Sequence, residues 1–222
     1  MTGLMIKDWL LLKRQGRYFV IVVVFACIIS FSGSESFSSF VTSYLTFMIT
    51  MFSFSSFSYD EVDNGMAYLM ALPSGRRDYV KAKYLFSILL IAGGWFAGCL
   101  MRMILFLIRF SVTDYLEILP SEPIYLLFCL VYISGGFPVI LKNGAEKGRN
   151  IVFMTLALFA AGVFMIVKFR LTVPVLTSAA LKMIQWSETW PMMVLILLLA
   201  ACILILWISY LSAVQIMEKK EF

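Results

Sequence analysis

PMMVLILLLAACILILWISYLSAV, residues 191–214, contains no charged side chain. A helix needs roughly 20 consecutive apolar residues to cross the hydrocarbon core of a bilayer, so this stretch reads as a membrane span. The rest of the chain has the same character. Of its 222 residues 62% are apolar and only 14% charged, and the mean hydropathy is +0.93. Soluble domains carry about 25% charged residues. Too little polar surface exists here to clothe a water-soluble fold, and lipid must supply the remaining apolar surroundings.

Working back from that span, five further segments are long and apolar enough, or nearly so: 18–32, 38–58, 84–101, 124–141 and 151–167. The first two are separated only by Gly33-Ser34-Glu35-Ser36, so two spans and one interrupted hairpin both remain open. The expected fold is therefore all-α, a single transmembrane domain over 1–222 with six transmembrane helices.

Basic residues test the topology. With a cytoplasmic N-terminus and six alternating spans, the inner side collects Lys7, Lys13, Arg14, Arg17, Arg76, Arg77, Lys81, Lys83, Lys142, Lys147, Arg149, Lys219 and Lys220. The outer side collects Arg102, Arg109, Lys168, Arg170 and Lys182. Thirteen of the 18 basic residues then lie inside, as the positive-inside rule requires, with both termini cytoplasmic. Five or seven spans spoil the agreement. Aromatic rings favour headgroup level at both boundaries. Tyr18, Tyr59, Tyr84, Trp207 and Tyr210 fall near inner ends, and Tyr115, Tyr125, Trp186 and Trp190 near outer ends.

The opening MTGLMIKDWLLLKRQGRYF lacks a small-residue cleavage site after its apolar stretch, so the first apolar run is expected to stay as a span. At 100° per residue Leu4, Met5, Trp9, Leu11 and Leu12 share one arc of residues 4–17, with Lys7, Lys13, Arg14 and Arg17 opposite. Such a helix lies in the inner headgroup layer, cations towards anionic lipid, or else serves as an ordinary basic flank of the first span. The four cysteines, Cys27, Cys99, Cys129 and Cys202, sit far apart inside apolar runs and read as small buried hydrophobes.

The loop 59–83, YDEVDNGMAYLMALPSGRRDYVKAK, is the most informative stretch. Asp60, Glu61 and Asp63 suit the N-terminus of a following helix over 64–72. Pro73 ends that helix, and Ser74 is placed to cap another that runs through Arg76 and Lys83 into the third span. The middle, Met66 to Leu72, is apolar on the water side and needs a cover of protein, lipid or its own chain. A soluble motor domain gripping this helix and a helix resting on the membrane fit equally well.

The runs GLMIKDWLLLK at 3–13 and SYDEVDNGMAYLMALPSGRRDYVKAKYL at 58–85 resemble bacterial ABC-2 type transporter permeases, in particular the small six-span permeases related to the phenol-soluble modulin exporter. Asp60-Glu61, Leu72-Pro73, Arg76, Val80 and Lys83-Tyr84 carry the match. The resemblance implies an elbow helix over 1–17, a coupling helix over 64–72 within the cytoplasmic loop 59–83, and an outer re-entrant segment over 168–190. Asp60, Glu61, Met66, Tyr68, Leu69, Met70, Leu72, Pro73, Arg76 and Arg77 would then couple the chain to a separate ATP-binding cassette subunit, which would hold the ATP and Mg. A second permease chain, identical or paralogous, would complete the exporter in the bacterial plasma membrane. Implied substrates are amphipathic, membrane-active peptides, although lipids, lantibiotic-like peptides and hydrophobic drugs suit the same residues.

Several residues inside the membrane are candidates for the translocation path. Arg102 either snorkels at the outer end of the third span or pairs with Asp114, Glu117 or Glu122 near a path mouth. Arg109 lies seven residues further on the same face. The second span carries eight hydroxyls, with Ser53 and Ser56 among them, as a polar wall or as helix-to-helix hydrogen bonds. Gly93, Gly94 and Gly98 signal close packing. Ser134-Gly135-Gly136-Phe137-Pro138 is expected to bend or break the fourth span.

No Gly-x-x-x-x-Gly-Lys-Ser/Thr stretch is present, and the chain has no histidine. This argues against an ATPase site on this chain, against Ser-His-Asp catalysis and against His-dependent metal chemistry, so a non-enzymatic role without a cofactor of its own is expected. Nothing points to nucleic acid. The competing readings are an ion-coupled transporter or channel, which lacks a buried carboxylate in mid-span, and a membrane anchor or sensor.

Overall fold

The computed structural model describes residues 2–32, 35–62, 65–71, 75–109, 122–169 and 191–220. Among them the fold is entirely helical: α1 (Thr2–Arg14), α2 (Gly16–Ser32), α3 (Glu35–Glu61), α4 (Gly65–Ala71), α5 (Arg76–Arg109), α6 (Pro123–Asn143), α7 (Ala145–Phe169) and α8 (Pro191–Lys219). Five of these, α3 and α5 to α8, are long and apolar enough to cross a membrane, and α2 contributes a shorter apolar helix over Gly16–Ile29. The chain is a multi-pass membrane protein. At 1.5 Å per residue the 17 residues of α2 rise only about 26 Å, a little less than a typical hydrocarbon core. The 34 residues of α5 rise about 51 Å, so it exceeds that thickness well beyond the expected span 84–101.

The largest packing surfaces join α3 to α5, α6 to α8 and α6 to α7. Helix α2 runs antiparallel along α3, with Phe19 stacked on Phe52 and Phe25 against Tyr44. The α3–α5 contact is close because α5 offers glycines. A Cβ on Gly98 would meet the Thr42 Cα at 2.9 Å, and one on Gly94 would meet the Ile49 Cβ at 3.0 Å. Small residues substitute here for a hydrophobic driving force that lipid does not provide. Phe137 on α6 centres the core, with Phe57 and Tyr84 both 4.9 Å away between ring centroids and Phe54 at 5.6 Å, all edge-to-face.

Helix α6 is continuous through Pro138, so of the two outcomes, bend or break, the break does not occur. Proline removes the amide that would bond the carbonyl four residues earlier, that of Ser134. The Ser209 hydroxyl of α8 donates to that carbonyl at 2.5 Å, and Tyr84 of α5 hydrogen-bonds the Ser209 oxygen at 2.6 Å. Since Ser209 has spent its one proton on Ser134, Tyr84 is the donor. Three helices are joined at the carbonyl that proline leaves open.

At the far end of α6 the chain reverses through Gly144 alone, at φ +85°, a left-handed conformation that a side chain would strain. Outward, α7 and α8 expose long rows of large apolar side chains, including Met154, Leu158 and Phe159 on α7 and Ile203 and Leu204 on α8. In a soluble protein such rows would aggregate, whereas here they meet acyl chains.

Candidate functional site

At one end of the bundle α1, the last turn of α3, α4 and the first turns of α5 converge on a buried ion cluster. Lys83 of α5 is its hub. Its ammonium lies 2.9 Å from Asp8 of α1 and 2.7 Å from Asp60 of α3, and it also donates to the Ser56 hydroxyl. Phe57 and Tyr79 hold their rings 5.2 and 5.5 Å from the same nitrogen. Tyr79 donates its hydroxyl to Asp60 at 2.9 Å, Ser56 donates to Asp8 at 2.9 Å, and Lys7 pairs with Asp60. Two ammonium groups thus face two carboxylates: Lys83, Asp8 and Asp60 are buried, and Lys7 reaches the set from the edge with 30% of its side chain exposed. Buried ions persist only when paired and hydrogen-bonded in this way.

The neighbouring ends are tied as firmly. Glu61 accepts the first amide of α7, that of Ala145, at 2.7 Å, a carboxylate set where a helix N-terminus carries partial positive charge. Arg76 donates to the Met217 and Glu218 carbonyls at the C-terminal end of α8, and Arg77 pairs with the Glu218 carboxylate at 2.6 Å. Lys220 donates to the Leu141 carbonyl at the end of α6.

Above this cluster sits α4. Met66 is buried in the core, Leu69 and Met70 are half-buried against it, and Tyr68 points outward at 72% exposure. The first residue of α4 lies close against the end of α3, since a Cβ on Gly65 would lie 2.9 Å from the Asp60 carbonyl oxygen. Leu72, Pro73 and Ser74 lie outside the described residues, as do Asp114, Glu117 and all but the first two residues of the expected re-entrant segment.

Two sequence-based expectations change here. Asp60 and Glu61 belong to the last turn of α3, and their charges serve Lys83, Lys7 and the α7 amide instead of starting α4. The inward face of α1 is also different from the expected arc. It carries Leu4 and Asp8, whereas Trp9 is exposed together with Ile6 and Leu10, because pairing Asp8 with Lys83 fixes the rotation of the helix.

At the opposite end Arg102 of α5 and Glu122, just before α6, form a fully buried ion pair. Trp95 donates to the Glu122 carbonyl at 2.9 Å, and the Arg102 guanidinium lies 5.7 Å from the Phe106 ring centre. Arg102 does not snorkel, since its carboxylate partner is at hand. Ser53 is buried and donates to the Thr50 carbonyl within α3, as Thr50 does to Thr46 and Thr46 to Thr42. In this fold those hydroxyls spend their protons on their own helix. No three His, Cys, Asp or Glu side chains come together as a metal-ligand set among the described residues.

A family model described as "ABC-2 family transporter protein" matches residues 3–218. The chain belongs to this family. Neither a curated protein nor a solved structure matches it. As an ABC-2 family member it is the membrane component of an ABC transporter, a permease whose general partner is an ATP-binding cassette protein. The permease carries one feature that the sequence reasoning passed over, Asp8. A lone carboxylate among Leu4, Leu11 and Leu12 on one arc of a basic helix was a visible signal of a buried partner.

Proposed function

We propose that this permease is the six-span membrane subunit of an exporter for amphipathic, membrane-active peptides, with α4 as the helix gripped by a separate ATP-binding cassette subunit. Both termini face the cytoplasm of a bacterial cell, α1 is the elbow helix, and residues 168–190 dip back into the outer leaflet. Two permease chains and two cassette subunits make the complete machine. ATP and Mg are bound and used on the cassette chains.

One observation carries this reading. Tyr68 is the exposed side of a short helix whose other side, at Met66, is sunk into the core that contains Phe57 and Tyr79, the two rings beside Lys83. Lys83 in turn ties α5 to Asp60 of α3 and Asp8 of α1, so a load on α4 would reach all three helices. The amphipathic substrate class rests on the resemblance of residues 3–13 and 58–85 to the peptide exporters, and on the large apolar surface open to lipid, from which such molecules would enter.

The test is purification of the full chain from its native membrane in mild detergent, with mass spectrometry of accompanying soluble chains. A cassette ATPase is expected, and in proteoliposomes its turnover should rise several-fold with an amphipathic helical peptide. Recovery of the permease alone would overturn the reading. Stimulation by small hydrophobic drugs but not by peptides would remove the substrate class and leave the motor assignment standing.

A further inference from the structure

An apolar cleft of about 320 Å³ lies between α1 and α5, within the size range of ordinary ligand pockets. Its floor is formed by Phe86 and Leu90, which are buried, and its walls by Ile6, Trp9, Leu10 and Leu89, which are exposed. Polar surface is almost absent from the lining, so the occupant must be a hydrocarbon chain or an apolar side chain.

Charge at one end of the cleft selects between these. Lys13 follows Trp9 by four residues and Leu10 by three, so it continues the same face of α1 one turn on, and Arg14 stands beside it. Both side chains are exposed, and neither makes an ion pair among the described residues. The acidic residue on this helix, Asp8, faces the other way and is occupied by Lys83 and Ser56. Greasy slot and unneutralised cations together match an amphiphile with an anionic head. A cationic peptide would meet Lys13, Arg14 and Arg17 as like charges. A second copy of a chain with net charge +5 offers no comparable complement.

We propose that the α1–α5 cleft is a binding site for one anionic phospholipid, with an acyl chain in the slot and the phosphate on Lys13 and Arg14. The bound lipid wedges the elbow-like helix against the longest helix of the bundle, beside the Lys83 cluster. The site depends only on the chain being embedded in a membrane and stands apart from the choice of exported substrate.

Photoreactive lipids test it on the full chain. The protein is reconstituted in phosphatidylcholine nanodiscs with a trace of phosphatidylglycerol whose acyl chain carries a diazirine, irradiated, and mapped by peptide mass spectrometry. Adducts should concentrate on residues 5–10 and 86–90, exceed those from a phosphatidylcholine probe several-fold, and disappear under excess unlabelled phosphatidylglycerol. In Lys13→Gln/Arg14→Gln that headgroup preference should fall at least about tenfold while labelling by the phosphatidylcholine probe persists. Equal labelling by both probes would overturn the proposal. So would adducts spread evenly along α7 and α8, or chain-to-chain crosslinks from Trp9 in place of lipid adducts.

Discussion

Lys83 on α5 and Asp60 on α3 meet at 2.7 Å with only 3% of either side chain exposed. Residues 23 positions apart are thereby locked across the α3–α4–α5 turn, and Asp8 of α1 closes the set from the other side. Neutrality makes the arrangement tolerable in a region that excludes water, and it makes each member dependent on the others.

Lys83→Met should therefore destabilise the protein by about 3–5 kcal/mol, because two carboxylates remain buried with Lys7 as their only cation in the cluster. Replacing the ions together, as in Lys83→Met with Asp8→Leu and Asp60→Asn, should recover a substantial part of the loss. Thermal unfolding in detergent followed by size-exclusion chromatography measures both. Equal stability of Lys83→Met and the parent would mean the cluster is not formed.

The Ser209 bond to the Ser134 carbonyl makes a second, more specific claim. Ser209→Ala leaves a buried carbonyl and the Tyr84 hydroxyl unmatched, a loss of about 1–3 kcal/mol. Pro138→Ala restores the backbone amide that should occupy that carbonyl. The double variant Pro138→Ala/Ser209→Ala should accordingly be more stable than Ser209→Ala alone, a rescue that a generic packing defect would not show.

Gly98 and Gly93 are five residues apart on one helix and should behave oppositely. Gly98→Ala drives a methyl into the α3 backbone at Thr42 and should lower thermal stability, because backbone cannot step aside cheaply. Gly93→Ala meets nothing within 4 Å and should be neutral or stabilising by up to about 1 kcal/mol, since alanine favours helix. Melting temperatures of the two variants, measured side by side, decide the matter.

Arg102 and Glu122 call for a paired comparison. Either Arg102→Leu or Glu122→Gln alone breaks a pair of which neither side chain is exposed, and should cost about 3–5 kcal/mol for the arginine change and less for the amide. Arg102→Leu with Glu122→Leu should fall much closer to the parent. A transport assay on the double variant separates structure from passage: retained export indicates a fastening between α5 and α6, and lost export with intact stability a residue on the path.

What the sequence made legible follows from period and length. The long helices α5 to α8 announce themselves because lipid demands uninterrupted apolar residues, and the run 191–214 leaves no other reading. Helix limits were less legible. Hydropathy marks where lipid begins, whereas the backbone goes on hydrogen-bonding beyond it, so α5 reaches back to Arg76 and forward to Arg109. The ion cluster was legible only at Asp8, and its partners were not, for a different reason. Lys83 reads locally as a topology signal and Asp60 as a helix-starting charge, and only the packing of α1 and α3 onto α5 reveals that Lys83 joins Asp60 to Asp8. Glu122 was nameable as one of three partners for Arg102, because a guanidinium in hydrocarbon must find an anion.

Tyr68 gives the last prediction, and it isolates the motor contact from the fold. Its side chain is largely exposed and makes no hydrogen bond or ion pair among the described residues, so Tyr68→Glu should shift stability by no more than about 0.5 kcal/mol. Met66, two residues away, is buried in the core, and Met66→Glu should unfold that end of the protein. If a cassette subunit grips α4, Tyr68→Glu should reach the membrane at parental yield and yet lose most of the co-purifying ATPase, because a charge would replace the aromatic anchor at the middle of the contact. Full retention of the ATPase by Tyr68→Glu, with the permease intact, would move the motor contact away from α4.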